Sequence, residues 1–276
     1  MKYIFFDIDG TLLSHSKGIL SSTAKALEEA KAKGHKIFIN TGRSLAEVGD
    51  SFDKFGFDGL VCAAGSYIVI GDDVIHNQVI SYEDVKFICE ILGDLGIEYG
   101  LEGVEYTYFT DDVFKGYRQR VYKAIDDILG YEPSGYEPYH YMIQPQHVRK
   151  VSEYWQEPTT ISKLLIYSES RDVNEELARR LKEDYFLIIY DTFAELINKG
   201  NNKATGIEKV MKYYGADKED SISIGDSLND LDMLKDAGLG IAMGNASDTV
   251  KAQADMVTED ILDDGLYKAL KKIGVI

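Results

Sequence analysis

Two aspartates close the first apolar run of this chain. In YIFFDIDG, Asp7 and Asp9 stand two positions apart. Residues spaced this way in an extended chain project to one side, so two carboxylates meet at the end of a strand. Like charges that close require a cation between them or a proton on one of them. An Asp-Gly turn explains Asp9-Gly10 through local hydrogen bonds. It does not explain Asp7, a charge set among apolar residues. Three other segments carry related chemistry. Asn40-Thr41-Gly42-Arg43 joins a hydroxyl to permissive backbone before a helix, which makes either a phosphate cradle or an ordinary capped turn. Lys203 follows Gly200-Asn201-Asn202 and opens a helix, where its charge opposes the helix dipole. An anionic ligand would remove that cost, although a single lysine is most often solvated. Asp226 and Asp230, in GDSLND, end a strand and open a helix. They can serve as cap and dipole complement. They can also converge with Asp7 on one hard cation that takes oxygen ligands. Taken together these groups are an inventory for phosphoryl transfer: a carboxylate nucleophile, Mg²⁺, donors to the phosphate oxygens and an acid for the leaving group.

The elements that must position these groups alternate. Tyr3 to Ile8 reads as a buried parallel strand, and Ser21 or Ser22 caps a helix that Gly34 ends. Lys36 to Asn40 is a second strand, Ser44 to Phe55 a second helix, and Gly59 to Ala64 a third strand. Tyr67–Ile70 and Val74–Ile80 flank Gly71-Asp72-Asp73 as a hairpin. The middle differs: all four prolines (Pro133, Pro138, Pro145, Pro158) fall there. It mixes helices near 82–95, 112–129 and 172–184 with strands near 106–110, 161–167 and 186–190. Alternation then resumes with a helix over Lys203–Tyr214, a strand over Ser221–Ile224, a helix over Leu228–Lys235, a strand over Leu239–Met243, and helices over Ser247–Ala254 and Gly265–Lys272. The expectation is an α/β fold: a doubly wound, parallel, Rossmann-like core over residues 1–81 and 191–276, interrupted by an inserted α+β module over 82–190.

At 276 residues with 45% hydrophobic and 28% charged residues, the chain can bury a core, which excludes general disorder. Its formal charge is −17. Such a surface repels nucleic acid and anionic lipid, so an anionic ligand needs a local site that overrides the global field. Cys62 and Cys89 sit among apolar neighbours and read as buried, reduced thiols. No zinc-ligand spacing, signal-peptide pattern or membrane-length apolar run occurs in the sequence. The expected location is therefore the cytoplasm, with no nucleic-acid or membrane partner.

DIDGT, NTGR, the lysine after Asn-Asn, and GDSLND, in this order, resemble the four motifs of the haloacid dehalogenase superfamily of phosphatases. GIAMGNA at 240–246 and the module inserted after the third strand are similar to its Cof-like branch, whose α/β cap is called type IIB. The resemblance implies a Mg²⁺-dependent phosphatase acting on small phosphorylated metabolites, either sugar phosphates or phosphorylated cofactors, through an aspartyl-phosphate. By position, Asp7 resembles the nucleophile and Asp9 the general acid and base. The implied metal ligands are the Asp7 side chain, the Asp9 backbone carbonyl and Asp226. Thr41, Gly42 and Lys203 resemble phosphate holders, Asn229 a substrate contact, and Asp230 a partner that orients the metal's surroundings. Two departures stand out. Ala64-Gly65-Ser66 occurs where relatives often show Asn-Gly, and Lys203-Ala204 where they often show Lys-Gly.

The inserted module would roof the strand ends and exclude water. Tyr136, Tyr139, His140, Tyr141 and Trp155 are its candidate substrate contacts, although aromatics more often fill a small module's own core. Arg118 and Arg120 read as surface residues, and His15 and His147 have no catalytic partner in sequence. Phosphotransfer to a substrate hydroxyl, a receiver-type switch and a binding protein without turnover are the competing readings. The inserted module and GDSLND weigh against a receiver.

Overall fold

The amino-terminal apolar run lies at the centre of a sheet because both of its faces are covered. In a computed structural model, residues 1–117, 145–168, 170–181, 183–189 and 193–276 are described. β1 is Tyr3–Phe6, β2 Lys36–Asn40, β3 Gly59–Cys62, β4 Tyr67–Ile70 and β5 Asp73–Asn77. After a second sheet come β12, Ser221–Gly225, β13, Leu239–Ala242, and β14, Met256–Val257. Their order is β14-β13-β12-β1-β2-β3-β4-β5. From β14 to β3 every pairing is parallel, and β3-β4-β5 closes the edge antiparallel. Within β1 the side chains alternate. Ile4 and Phe6 pack with Leu27 of helix Ser21–Ala32 and Leu266 of helix Gly265–Lys272. Tyr3 and Phe5 pack with Ile207 and Val210 of helix Lys203–Tyr214. Two apolar faces are what a doubly wound parallel sheet requires.

The chain runs outward from β1 through β2 and β3, then returns to β12 on the other side of β1. That reversal of direction is the topological switch point, where the carboxyl ends of open α/β sheets form a crevice. Asp7, Thr41 and Asp226 each directly follow one of the strands at this point.

Strands β6 to β11 lie between β5 and β12 in sequence. They are Glu98–Gly103, Thr107–Phe109, Val148–Lys150, Ile161–Tyr167, Tyr185–Ile189 and Ala194–Asn198. They form a second sheet of order β10-β11-β9-β6-β7-β8. One face, with Leu101, Leu164, Ile166 and Leu196, packs on Ile88 and Leu92 of helix Tyr82–Asp94 and Leu177 of helix Arg171–Arg180. The fold is therefore α/β, a parallel Rossmann-like core with an inserted α+β body.

Several boundaries differ from the sequence expectation. The helix expected over 44–55 is one turn, Leu45–Val48, followed by a tighter turn at Asp53–Phe55. Gly49, at φ 52° and ψ −145°, leaves the helical region and lets the chain fold back, burying both Val48 and Phe52. Likewise 228–235 divides into a tight turn at Leu228–Asp230 and a helix at Leu231–Asp236, and 247–254 shortens to Asp248–Lys251. Strands β6 and β11 were not expected. Their apolar residues are few and set among glycine, glutamate and asparagine (Glu98, Gly100, Glu102 and Gly103 in β6, Glu195 and Asn198 in β11), so no apolar run marks them. The helix expected over 112–129 is described only for 111–117. Tyr136, Tyr139, His140, Tyr141, Arg118 and Arg120 lie outside the described residues.

Candidate active site

The crevice is assembled from four strand or helix ends. β1 continues its ladder one residue further, with Asp7 N donating to Ile224 O at 3.0 Å, so the Asp7 carboxylate is held rigidly at the strand's end. Gly10 then turns the chain at φ +84°. A Cβ there would strike the Asp226 carboxylate, so only glycine lets DIDGT pass beside GDSLND. Thr11 Oγ1 donates to Asp226 Oδ1 at 3.3 Å, and Asn245 Nδ2 donates to Gly10 O at 2.9 Å and Asp226 Oδ2 at 3.3 Å.

Lys203 is buried, with 1% of its surface exposed. Its Nζ donates to Asp7 Oδ1 at 2.6 Å, to Asp230 Oδ1 at 2.5 Å and to Asn229 Oδ1 at 3.3 Å. The solvated-lysine alternative therefore fails: the helix start carries this charge inward. Asn202 caps the helix by accepting from Thr205 N at 2.8 Å, and the buried Asn40 Nδ2 donates to Lys203 O at 2.9 Å. The loop after β3 closes against the same point, where Gly65 approaches Asn202 too closely for any Cβ. Asp230 is fully buried and uses its other oxygen to accept from Asp226 N and Ser227 N, both at 2.9 Å. It is thus a cap for its own loop and also a counter-ion for Lys203.

Asp9 takes a different direction from Asp7. Both of its oxygens accept from Arg43, Oδ2 from Nε at 2.9 Å and Oδ1 from Nη2 at 2.6 Å. This bidentate fork is the strong arrangement for a guanidinium and a carboxylate. Arg43 is driven above its ordinary value because Asp9 outweighs the cost of burial. Thr41 is buried, its hydroxyl accepting from Arg43 N at 3.1 Å, and Gly42 faces Asn229, whose Nδ2 would lie 3.6 Å from a Cβ at 42.

The electrostatics show a shortage of positive charge. Burial, then the Asp230 charge, push Asp7 up to about 8 despite Lys203. Burial and Asp230 likewise push Asp226 up to about 7, eased by the Thr11 hydroxyl. Lys203 moves up, its two carboxylate partners outweighing its own desolvation. Oxygens of Asp7, Asp226 and Asp230 lie within 4.8 Å of one another. Three carboxylates against one ammonium leave two negative charges unanswered. The donor set is all hard oxygen, which fits a small divalent cation.

Asp7, Asp9, Thr41, Gly42, Arg43, Asp226 and Asn229 all face one cleft of about 500 Å³. Its opposite wall comes from the second sheet and includes Glu102, Lys163 and Glu195. His15 lines the same cleft, while His147 Nδ1 donates to Glu105 O, 3.1 Å away, on the surface. Trp155 packs instead with Tyr154 at 4.9 Å between ring centroids and with Tyr82 at 6.1 Å, inside the second body's own aromatic cluster. Cys62 and Cys89 are buried and unbridged, and burial raises both thiols, Cys89 to about 12. No helix among the described residues is long and apolar enough to cross a membrane.

Sequence reasoning had Arg43 in view only as part of NTGR, and it missed Glu47, Glu102, Lys163 and Glu195. The signal for one of them was present: Lys163 is a lone charge inside the apolar run ISKLLIY.

The family of haloacid dehalogenase-like hydrolases matches residues 4–270. The chain is 30% identical to the 5-amino-6-(5-phospho-D-ribitylamino)uracil phosphatase YcsE of Bacillus subtilis, over 98% of this chain and 95% of that one. It is 25% identical to the pyridoxal phosphate phosphatase YbhA of Escherichia coli, over 96% of each. The solved structure of the subclass IIB sugar phosphatase BT4131 superposes with a TM-score of 0.79 at 30% identity, covering all of both chains.

Proposed function

This chain belongs to the haloacid dehalogenase-like hydrolase family and is a phosphoric monoester hydrolase, and from that premise we propose that it hydrolyses sugar phosphates or phosphorylated cofactors with Mg²⁺, through an aspartyl-phosphate on Asp7. The observation that supports this reading best is the Asp7 carboxylate, buried at a strand end, with Lys203 holding one oxygen at 2.6 Å. One Asp7 oxygen is thereby fixed and the other is available to attack phosphorus.

In the first step the free Asp7 oxygen forms a bond to phosphorus, the bond from phosphorus to the leaving oxygen breaks, and Asp9 gives its proton to that oxygen. In the second, water attacks phosphorus, Asp9 takes the water's proton, and the bond to Asp7 breaks, restoring the carboxylate. For Asp9 to carry protons, the Arg43 fork must open. Thr41, the Gly42 backbone and Lys203 hold the phosphate oxygens, and Asn229 contacts the ester. The Asp7 and Asp226 side chains, with the Asp9 carbonyl, would hold Mg²⁺, and Asp230 keeps the Asp226 loop in place. When bound, Mg²⁺ supplies the charge that the three carboxylates lack and polarises the phosphate.

We also carry forward the division into a core, residues 1–81 and 191–276, and a cap, 82–190, with one refinement. The pairing of β11 with β9 and β10 supports a return to the core after Asn198. Phosphate release from p-nitrophenyl phosphate with Mg²⁺ tests the reading. Asp7→Asn should abolish it, and an acid-quenched phospho-adduct should form on Asp7 and not on the variant. Continued hydrolysis by Asp7→Asn would reject the nucleophile.

A further inference from the structure

The cleft-facing side of the second sheet carries a polar cluster beside Leu165 and Tyr167 of β9, and little of that cluster meets water. Along β6, β9 and β11 the alternating side chains Leu101, Leu164, Ile166 and Leu196 go to the apolar core. Their neighbours Glu102, Lys163 and Glu195 line the catalytic cleft. Glu102 stands opposite Lys163 in register. Lys163 Nζ lies 3.0 Å from Glu102 Oε2 and 2.8 Å from Glu195 Oε1. Lys163 and Glu102 are 3% and 0% exposed. Across from them Glu47, in the core helix Leu45–Val48, points its carboxylate into the same cleft and accepts from Ser44 N at 2.8 Å.

Two features of this wall point to a ligand. Glu47, Glu102 and Glu195 face one ammonium, so even with a proton shared between Glu47 and Glu102 the wall keeps an excess of negative charge. Glu102 Oε1 receives no donor hydrogen bond among the described residues, and the side chain meets another acid, the Glu47 carboxylate. Two acids in contact and short of donors are unfavourable, so a donor arriving with the substrate would relieve them. Burial, the Glu47 charge and a hydrogen bond with Glu47 hold Glu102 well above the ordinary carboxylate range, so Glu102 keeps a proton that it shares with Glu47.

Resting on the phosphatase reading above, we infer that Glu102, Lys163 and Glu195 select the leaving group. They accept a phosphomonoester whose organic part presents hydrogen-bond donors, amine or hydroxyl, and they reject one that carries a second negative charge. The phosphate itself is anchored at the far end of the cleft by groups that do not sense the organic part. Discrimination therefore falls to this wall.

The test compares kcat/KM for glucosamine 6-phosphate, glucose 6-phosphate and 6-phosphogluconate, whose organic parts are cationic, neutral and anionic. The wild-type protein should prefer the amine over the carboxylate ester by at least about tenfold, chiefly through KM. Glu195→Gln removes a negative charge and should shrink that ratio; Lys163→Gln removes the positive one and should enlarge it. A merely structural role would not move the ratio in opposite directions. Equal hydrolysis of the amine and carboxylate esters by the wild type overturns the inference whatever the variants do. So does turnover of p-nitrophenyl phosphate with none of the three sugar esters. Absence of phosphate release from p-nitrophenyl phosphate as well would instead overturn the hydrolase reading, and the selection with it.

Discussion

Replacing Lys203 by methionine removes one positive charge while nearly keeping the shape of the side chain. In the native protein that ammonium lies 2.6 Å from Asp7 and 2.5 Å from Asp230, and all three groups are buried. Breaking a buried pair by deleting one partner costs about 3–5 kcal/mol, because the remaining charge loses its compensation. Here two carboxylates lose it together, so the upper part of that range is expected without metal. For a chain of this size the loss lowers the melting temperature by roughly 10 °C. The effect must depend on pH. Asp7 titrates near 8 in the folded protein against 3.8 for an ordinary aspartate. Between those values the folded state binds more protons than the unfolded one, so stability falls as pH rises. At pH 5 a proton already neutralises Asp7 and the substitution strands only Asp230. The destabilisation should therefore be smaller at pH 5 than at pH 8. Mg²⁺ should return part of the loss at pH 8. Calorimetric melts at both pH values, in EDTA and in Mg²⁺, measure all three effects. A variant in EDTA at pH 8 that melts within about 2 °C of the wild type would refute the argument that Lys203 neutralises this cluster.

Four more outcomes follow from the same geometry. Asp7→Asn relieves a buried carboxylate held up by burial and by Asp230, so metal-free protein at pH 8 should become more stable while turnover is lost; a lower melting point would contradict the raised Asp7 value. Mg²⁺ must displace protons from Asp7, near 8, and Asp226, near 7. Its affinity by titration calorimetry should then rise about tenfold from pH 7 to pH 8, more steeply below 7, and level off above 8, and a flat profile would exclude these two carboxylates as ligands. Asp9→Asn should slow turnover by about 10²–10⁴-fold. Arg43→Gln frees the Asp9 carboxylate from its fork and should shift the pH–rate profile, whereas an unchanged profile would mean that the Asp9–Arg43 pair takes no part in proton transfer.

Much of the core was legible along the chain because its signals are local. Runs such as YIFF and KIFIN are apolar on both faces, which suits a strand covered on both sides, and Gly34 and Gly215 stop their helices at positive φ. The motif residues also declared themselves, since a charge at Asp7 has no structural excuse in an apolar run. Boundaries failed where a single residue's backbone decided them, as at Gly49. Strands β6 and β11 failed where glycine, glutamate and asparagine left too few apolar residues to mark a run.

By itself, then, the sequence determined which segments become strands and helices in the core, and which acids, hydroxyl and lysine follow them, because those properties depend on residues one to four positions apart. The tertiary structure alone decided that Lys203 is buried between Asp7 and Asp230, that Arg43 grips Asp9, and that Glu102, Lys163 and Glu195 form one wall. Each of those facts is a matter of desolvation and of distance between segments remote in the chain. A charge loses its water, and so needs its partner, only once the sheets close around it.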